Sequence, residues 1–333
     1  GSEMSLKKVI LKTKPEGVPS VETFEVVPDS LSSLDDGMVH VKIQYLSLDP
    51  YMRGKISGRH LTEAIHPGDD MDGEVVAEVL ESRAPDFAPG DTVTGMLGWR
   101  EEAVVPADAL KKVVTHGLSP SLALGVLGMP GLTAYAGTVN LAELRPGMTA
   151  VVSSAAGPVG TTVGQIARAK GCRVVGIAGS DEKCAWLKEE AGFADTINYK
   201  TEDLRAGLDR ACPDKIDYYF DNVGGDMLQA VMERLAVGAQ VVLCGLMSQY
   251  NDGGMPPGPN PAFTIIARAT IRGLVVYDHA ASSADAVAMV AGMIKAGDFA
   301  VQEDITDGIE NASTAFVRLM SGQTFGKTLV KMI

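Results

Sequence analysis

The segment with the clearest chemical potential is a glycine-containing turn, Ser153 to Gly160, with the sequence SSAAGPVG. It follows an apolar stretch typical of a strand and leads into a predicted helix over Val159–Lys170. Read as G-x-G-x-x-G, the motif has Ala155 at its first glycine position and keeps Gly157 and Gly160. The second glycine lets the backbone approach a pyrophosphate, and the third lets helix and strand pack closely. The helix N-terminus attracts phosphate. The turn therefore predicts dinucleotide binding, with a plain glycine turn as the alternative.

The end of the next strand indicates which dinucleotide is bound. An NAD enzyme places a carboxylate there for the ribose 2′-hydroxyl, but Ile177–Ser180 contains none. Lys183 falls in the first turn of the following helix, where a cation costs roughly 0.3 to 1 kcal/mol unless an anion lies nearby. A 2′-phosphate would be such an anion, so we favour NADP. A solvated helix lysine is the alternative.

Two later strands also end in candidate ligands. Asn222, in the segment DNVGG, is a possible partner for ribose or phosphate oxygens, or else caps its own turn. Cys244 ends the next strand and is followed by Gly245, which permits close backbone approach. We interpret Cys244 as a packed thiol, because no histidine lies near it in sequence. Both residues fall at the carboxyl edge of the predicted sheet, where such folds bind ligands.

Tyr51 is the candidate catalytic residue of the first part of the chain. Asp49-Pro50 specifies a type I turn, which would fix Tyr51 and Arg53 on a rigid loop. A tyrosine held in this way can donate a hydrogen bond to a carbonyl oxygen as negative charge develops there. Packing as a core aromatic is the alternative.

The elements that position these residues change type along the chain. Up to about residue 120, short β-type runs alternate with Gly and Pro, which predicts a β-rich domain. From Thr149 strands and helices alternate, which predicts a doubly wound parallel sheet and an α/β fold. The last predicted strand, Lys327–Met332, suits the β-rich domain better, so we expect the C-terminus to return there. The strand cores predicted in the second region are Ala150–Val152, Arg173–Ala178, Thr196–Tyr199, Ile216–Phe220, Gln240–Leu243 and Ile271–Tyr277. Ser180 and Thr201 are predicted helix caps, because acidic residues follow each of them.

Composition narrows the function classes. The 333 residues are 46% hydrophobic and 21% charged, as in globular proteins, and the net charge of −13 disfavours nucleic-acid or anionic-membrane partners. The apolar runs fall short of the roughly 18 residues that a membrane helix needs. Gly1-Ser2 is interpreted as a tag remnant and the start lacks a signal-peptide core, so we expect a cytoplasmic protein. The four cysteines and five histidines lack metal-ligand spacing, so we expect no metal.

Six ordered segments together resemble the zinc-independent branch of the medium-chain dehydrogenase/reductase superfamily that contains leukotriene B4 12-hydroxydehydrogenase, prostaglandin reductases and curcumin reductases. These segments are SLDPYMRG (47–54), GMPGLTAY (128–135), AAGPVG (155–160), GSDEK (179–183), YFDNVGG (219–225) and FGKT (325–328). The resemblance implies a GroES-like β-rich domain of residues 4–125 and 299–333 and a Rossmann NADP-binding domain of residues 126–298. It also implies a homodimer.

The resemblance further assigns roles to individual residues. Lys183 and Tyr199 would contact the 2′-phosphate, Asn222 the cofactor phosphates, and Tyr51 and Tyr250 would act in catalysis and line the substrate site with Met129. The full set of implied cofactor residues is Ala156, Gly157, Pro158, Val159, Gly160, Ser180, Lys183, Tyr199, Asn222, Cys244, Gly245, Leu246, Tyr250, Leu274, Val275, Val276 and Thr324. Many members of this branch have Asn where this chain has Thr324.

The sequence departs from the zinc-dependent relatives. Those proteins place a cysteine and Gly-His-Glu in the first domain, whereas residues 1–171 here contain no cysteine and Asp72-Gly73-Glu74 stands at the Gly-His-Glu position. We therefore expect metal-independent, NADPH-dependent reduction of the carbon–carbon double bond of α,β-unsaturated ketones or aldehydes, with hydride added to the β-carbon. The alternatives are an NADPH quinone oxidoreductase of the same superfamily and a non-catalytic NADPH-binding protein.

Overall fold

The computed structural model describes residues 5–58, 63–244 and 257–333. The chain divides into two compact units, which we call the first unit (1–124 and 302–333) and the second unit (125–301). The strands are β1 (Lys7–Leu11), β2 (Phe24–Pro28), β3 (Met38–Ser47), β4 (Val75–Ser82), β5 (Thr92–Gly95), β6 (Glu102–Pro106), β7 (Lys111–Lys112), β8 (Thr149–Val152), β9 (Arg173–Ala178), β10 (Asp195–Asn198), β11 (Ile216–Asp221), β12 (Leu235–Leu243), β13 (Thr270–Gly273), β14 (Glu303–Asp307) and β15 (Lys327–Lys331). The α-helices are α1 (Tyr51–Ile56), α2 (Met129–Tyr135), α3 (Pro158–Ala169), α4 (Asp181–Glu189), α5 (Leu204–Ala211), α6 (Gly225–Met232), α7 (Ala262–Ala267), α8 (Ser283–Lys295) and α9 (Ala312–Met320).

The first unit is a mostly antiparallel β structure. Its seven-stranded sheet has the order β14-β15-β3-β4-β5-β7, with β6 also paired to β3, and β1 and β2 form a separate hairpin-like pair. The chain's last strand, β15, pairs antiparallel with β3, where Leu329 lies opposite Ser47. The core contains an aromatic cluster in which the rings of Phe24, Trp99 and Phe316 lie 5.3 to 5.7 Å apart. Since Phe316 belongs to α9, the C-terminal segment supplies part of this core.

The second unit is a doubly wound α/β structure. Its six strands are all parallel, in the order β10-β9-β8-β11-β12-β13. The central strands are continuous apolar runs, because a parallel sheet with helices on both faces is buried on both sides. The strand order reverses direction at β8, so β9 and β11 lie on opposite sides of it, and ligands bind at the carboxyl ends of strands at such a switch point. The predicted fold class is confirmed.

Three local predictions need correction. The strand predicted over Ile271–Tyr277 ends at Gly273, because its partner β12 ends at Leu243, and Val276–Ser282 forms a 3₁₀ helix. Asp203, and not Thr201, caps α5, since its carboxylate accepts from Ala206 N at 2.9 Å. The Asp49-Pro50 turn does not lead into a loop: Pro50 has helical φ and ψ, and the chain continues directly into α1.

Candidate functional site

The backbone after β8 is shaped for an anionic ligand. A Cβ atom at Gly160 would lie 2.3 Å from the Ser154 carbonyl oxygen and 2.8 Å from Ala155 Cα, so only glycine fits there. A Cβ atom at Gly157 would meet nothing closer than the Ser154 oxygen at 3.6 Å, so the backbone at the start of α3 is open to a ligand. The first-turn N–H groups of a helix have no intrahelical acceptor, and the helix dipole adds positive potential.

The replaced first glycine of the motif has a structural explanation. Ala155 is fully buried, and the left-handed conformation lies one residue earlier, at Ser154, whose φ is +46°. A non-glycine residue in this region is uncommon and carries strain. Pro158, at the first helical position, has the φ that a helix start needs. The predicted loop residues Ala156, Gly157, Pro158, Val159 and Gly160 therefore form one turn at the amino end of α3.

Two lysines, Lys183 and Lys200, belong to the segments around the end of β9. Ser180 caps α4, as predicted, by accepting from Lys183 N at 3.2 Å, which places Lys183 in the first helical turn. Within residues 5–58, 63–244 and 257–333, neither Lys183 nor Lys200 forms an ion pair. The first turn of α4 also contains Asp181 and Glu182, of which Asp181 accepts a hydrogen bond from Asn198 Nδ2 at 2.8 Å.

Lys200 is a residue that the sequence analysis missed. Its Nζ lies 5.9 Å from the ring centroid of Tyr199, and its Cε would be 3.2 Å from a Cβ atom at Gly179. Lys200 and the half-exposed Tyr199 therefore border the turn that leads to Ser180. The only sequence signal was its place directly after Tyr199. These two lysines form no ion pair in the described residues and lie near the turn that leads to Ser180. They fit a dinucleotide that carries a 2′-phosphate.

The end of β11 is tied to the end of β8. Asn222 N donates to Ser153 Oγ at 2.7 Å, and Asn222 Nδ2 donates to Ser153 O at 2.9 Å. The preceding Asp221 is fully buried, and its Oδ1 accepts from the Tyr219 hydroxyl at 2.7 Å and from Gly224 N at 3.0 Å. Burial raises the pKa of the Asp221 carboxyl above its ordinary value. The side-chain amide of Asn222 thus fastens two neighbouring strands at the edge where the dinucleotide turn begins.

Cys244 lies at the same edge, after β12. Its N–H donates to Asp221 O at 3.0 Å, and the side chain is half-buried. Burial, with a smaller effect of Asp221, raises the pKa of the Cys244 thiol to about 11, so it is a protonated thiol at neutral pH. The next predicted cofactor residues, Gly245, Leu246 and Tyr250, lie outside the described residues.

The predicted nicotinamide neighbours follow β13. Leu274 N continues the sheet by donating to Leu243 O at 2.9 Å, and its side chain is buried, while Val276 is half-buried and Val275 is exposed. The Leu274 side chain packs near a π-helical turn, Ala136–Asn140, that follows α2. Met129, the predicted substrate residue of this unit, is the first residue of α2 and is 44% exposed.

The first unit holds Tyr51 and Thr324. Tyr51 begins α1, packs against the hydrophobic core of this unit and is half-buried, whereas Thr324 is buried shortly before β15. Burial and the carboxylates of Asp72, Asp49 and Glu74 raise the pKa of the Tyr51 phenol. Tyr51 therefore stays protonated at neutral pH and can donate a hydrogen bond. In the described part of the chain, no three His, Cys, Asp or Glu side chains are arranged to hold a metal ion.

Two family models match the chain. One, described as the N-terminal domain of oxidoreductase, matches residues 7–113, and the other, described as zinc-binding dehydrogenase, matches residues 158–292. The first match lies within residues 1–124 of the first unit, and the second match lies within the second unit, residues 125–301.

Full-length relatives and a solved structure resemble the chain. The NADPH-dependent curcumin reductase of Escherichia coli (strain K12) is 38% identical over 333 residues, covering 98% of this chain and 96% of the relative. The NADP⁺-dependent 2-alkenal reductase of Nicotiana tabacum is 42% identical over 336 residues, covering 98% of both. The crystal structure of CurA from Vibrio vulnificus in complex with NADPH has a TM-score of 0.85 and 36% identity, covering 98% of this chain and 99% of that chain.

Proposed function

The chain belongs to the medium-chain dehydrogenase/reductase family, and we propose that it is an NADPH-dependent reductase of the carbon–carbon double bond of α,β-unsaturated ketones and aldehydes. The observation that carries this proposal is the open turn at α3 with two unpaired lysines beside Ser180, which suits NADPH. The curcumin reductase and the 2-alkenal reductase, which match this chain along nearly its full length, are both reductases that use NADPH or NADP⁺. The second unit is the NADP-binding domain in this proposal, and the first unit contributes Tyr51.

The protein's part in the reaction is to bind, orient and stabilise charge. When bound, NADPH supplies the hydride that adds to the β-carbon of the substrate. The backbone at Gly157 would receive the pyrophosphate, and Lys183, Tyr199 and Lys200 would recognise the 2′-phosphate. Leu274, Val275 and Val276 would lie beside the nicotinamide, and Asn222 would hold the strand ends that surround the cofactor phosphates.

Stabilisation of the enolate oxygen is assigned to Tyr51. Reduction at the β-carbon leaves negative charge on the former carbonyl oxygen, and a hydrogen-bond donor aimed at that oxygen contributes about 3 kcal/mol. The raised pKa of Tyr51 keeps its proton in place, so this residue donates a hydrogen bond without becoming a phenolate. Tyr250, which lies outside the described residues, is the second proposed donor. Water or a tyrosine supplies the proton that is added to the α-carbon.

The experiment that tests the activity follows NADPH oxidation by absorbance, on chelator-treated protein, with 3-nonen-2-one as substrate. Mass spectrometry of the product is expected to show the saturated ketone, with deuterium at the β-carbon when the transferred hydride of NADPH is replaced by deuteride. Turnover of a quinone to a hydroquinone with no enone reduction would instead identify a quinone oxidoreductase. Tight NADPH binding without turnover of either substrate would leave only the non-catalytic binding function.

We also propose that the protein is a cytoplasmic homodimer. All four cysteines are free thiols, which suits a reducing compartment.

All four residues of the edge strand β13 are exposed, and exposed isoleucines of α7 belong to the same unit, namely Ile265 and Ile266. An exposed strand edge with apolar residues beside it is a template for pairing with a second chain. No helix of the described residues is long and apolar enough to cross a membrane.

A further inference from the structure

Tyr51 lies among charged side chains that come from separate parts of the first unit. We call this group the Tyr51 frame, and its members are Asp49, Lys55, Asp72, Glu74 and Lys327. The frame contains two ion pairs, Lys55 Nζ to Asp72 Oδ2 at 2.5 Å and Lys327 Nζ to Asp49 Oδ1 at 2.7 Å. Both lysine side chains are largely buried, at 16% and 11% exposure. Their carboxylate partners are more exposed, Asp72 at 33% and Asp49 at 27%, so both pairs are partly buried and are screened less by solvent than fully exposed pairs.

Lys55 contacts both Asp72 and the Tyr51 ring. It lies four residues after Tyr51 on α1, which places both side chains on one face of the helix. Its Nζ is 5.9 Å from the centroid of the Tyr51 ring, within the range in which a cation attracts an aromatic ring. Lys55 also donates to Asp72 Oδ2. The ammonium therefore links the ring of the candidate donor to a carboxylate on another segment.

Asp72 is itself fixed to the core of the unit. Its backbone oxygen accepts from the indole N–H of the buried Trp99 at 3.1 Å. Its Oδ1 is buried and has no hydrogen-bond partner within the described part of the chain. The Asp72 side chain is 33% exposed, and its other oxygen, Oδ2, accepts the bond from Lys55. This ion pair holds Lys55 beside Tyr51.

We propose that Lys55 and Asp72 are a positioning pair for Tyr51, in which the ammonium anchored on Asp72 holds the phenol ring at the orientation in which its hydroxyl meets the substrate carbonyl. The inference rests on the proposed function, because it takes Tyr51 as the donor to the enolate oxygen. The remaining members of the frame, Asp49 with Lys327 and the half-buried Glu74, set the charge around the phenol. Burial first, and then the three carboxylates of the frame, raise the pKa of the phenol, while Lys55 fixes its direction.

The test is a double-mutant cycle on the full-length protein. Lys55→Met is expected to lower kcat for 3-nonen-2-one about tenfold, because a donor that is no longer aligned loses much of its effect. KM for NADPH stays within about twofold, since the proposed cofactor residues other than Thr324 belong to the second unit. Lys55→Arg, which keeps a cation able to bond Asp72, is expected to recover most of kcat. In a Tyr51→Phe background, Lys55→Met is expected to change kcat less than about twofold, because there is no hydroxyl left to align.

Two further variants keep the test decisive. Lys8→Met removes another Lys–Asp pair of the same unit, Lys8–Asp70 at 2.8 Å, in which Asp70 keeps its ion pair with Arg100, and is expected to leave kcat unchanged. Lys55→Met/Asp72→Asn removes both charges, so that no unpaired carboxylate is left to unfold the unit, and it is expected to keep the low kcat of Lys55→Met. An unchanged kcat in Lys55→Met, or an equal loss in the Tyr51→Phe background, overturns the positioning role.

A spectroscopic measurement separates this proposal from the proposed function. In protein labelled with [¹³Cζ]tyrosine, the NMR signal of Tyr51 is assigned by its loss in Tyr51→Phe. It is expected to shift in Lys55→Met and to stay in place in Lys8→Met. A wild-type protein that binds NADPH but reduces no enone refutes the proposed function, and the NMR shift then still decides whether Lys55 positions Tyr51. An unshifted signal in Lys55→Met overturns the positioning role whatever the substrate.

Discussion

At the scale of single residues, the recognition of the 2′-phosphate that we propose depends on two lysines without an ion pair in the described residues. The chain has 42 acidic residues against 29 basic ones, so an unpaired lysine is less expected here than in a basic protein. Lys183 nevertheless lies at the positive end of α4, and Lys200 lies beside Tyr199, with no acidic partner for either in the described ranges. A bound 2′-phosphate would offset the unfavourable position of Lys183 and would give Lys200 an anionic partner.

The first prediction separates NADPH from NADH. Lys183→Ala is expected to raise KM for NADPH by the equivalent of about 1.5 to 3 kcal/mol, the value of a charged hydrogen bond, and to leave KM for NADH nearly unchanged. Lys200→Ala is expected to act in the same direction by about threefold to tenfold, since its ammonium would act at longer range. Lys188→Ala, in the last turn of the same helix, is the control. Equal losses with both cofactors would remove these lysines from phosphate recognition.

The second prediction concerns the buried Asp221. Because burial raises its pKa in the folded state above the ordinary 3.8, the folded protein binds this proton more tightly than the unfolded chain does. The stability of the wild type is therefore expected to decline relative to Asp221→Asn as the pH rises from about 4. The difference amounts to about 1.4 kcal/mol for each unit by which the pKa is raised. Denaturation midpoints of both proteins at pH 4 to 7 measure this stability difference. If the wild type instead gained stability over Asp221→Asn with rising pH, the pKa of Asp221 would not be raised by folding.

At the scale of elements, the turn between β8 and α3 uses its two glycines for different purposes. Gly160 is surrounded by backbone atoms of the turn itself, whereas Gly157 faces open space. Gly160 is therefore required by the fold, whereas the role that we propose for Gly157 is ligand binding. The glycine pattern in the sequence does not distinguish these two roles, but the distances around Gly157 and Gly160 in the structure do.

The third prediction tests this division of roles. Gly160→Ala is expected to destabilise the fold by about 2 to 3 kcal/mol, because the added Cβ overlaps backbone that cannot move away cheaply. Gly157→Ala is expected to change stability by less than about 1 kcal/mol, since its φ of −76° suits any residue and the nearest atom, the Ser154 oxygen, would be 3.6 Å from the added Cβ, an ordinary van der Waals distance. It is expected to raise the Kd for NADPH by at least about tenfold, because the methyl group occupies the space that the pyrophosphate needs. Thermal unfolding without cofactor and NADPH fluorescence titration measure the two effects, and a reversed order of the two losses would refute the scheme.

At the scale of the whole molecule, the exposed edge of the second unit's sheet is the proposed dimer interface. Within the described residues, β13 pairs with β12 and with no other strand, and its four residues are all exposed. The proposed homodimer would pair this edge with the same edge of a second chain. In a two-fold interface each residue is present twice, once from each chain. One substitution to a charged residue therefore places two like charges in the interface.

The fourth prediction follows from that symmetry. Ile271→Lys, on β13, is expected to weaken dimerisation at least about 100-fold, because two ammonium groups would be brought together across the edge. Val114→Lys, at an apolar position of the first unit that is 67% exposed against 39% for Ile271, is the control and is expected to leave the dimer intact. Sedimentation equilibrium over a concentration series measures the effect. A dimer that survives Ile271→Lys would mean that this edge is not the interface.

The sequence by itself determined the fold class, the family resemblance and the cofactor type. These properties depend on local signals: the strand–turn–helix order around Gly157 and Gly160, the missing carboxylate before Ser180, and the change from β-type to alternating segments. Local signals are readable because neighbouring residues in sequence share one turn or one strand end. Local signals did not predict the length of a strand that depends on its partner. The strand predicted to reach Tyr277 ends at Gly273, where its pairing with β12 ends.

Only the tertiary structure decided which distant groups meet. Lys327 and Asp49 are 278 residues apart in sequence and form an ion pair, and no periodicity could have joined them. The same holds for Trp99 and Asp72, and for Asn222 and Ser153, which lie 69 residues apart. The charge around Tyr51 and the fastening of the strand ends both come from such pairs. Their partners are set by strand order and packing, which involve the whole chain at once, and a sequence motif records only one side of each contact.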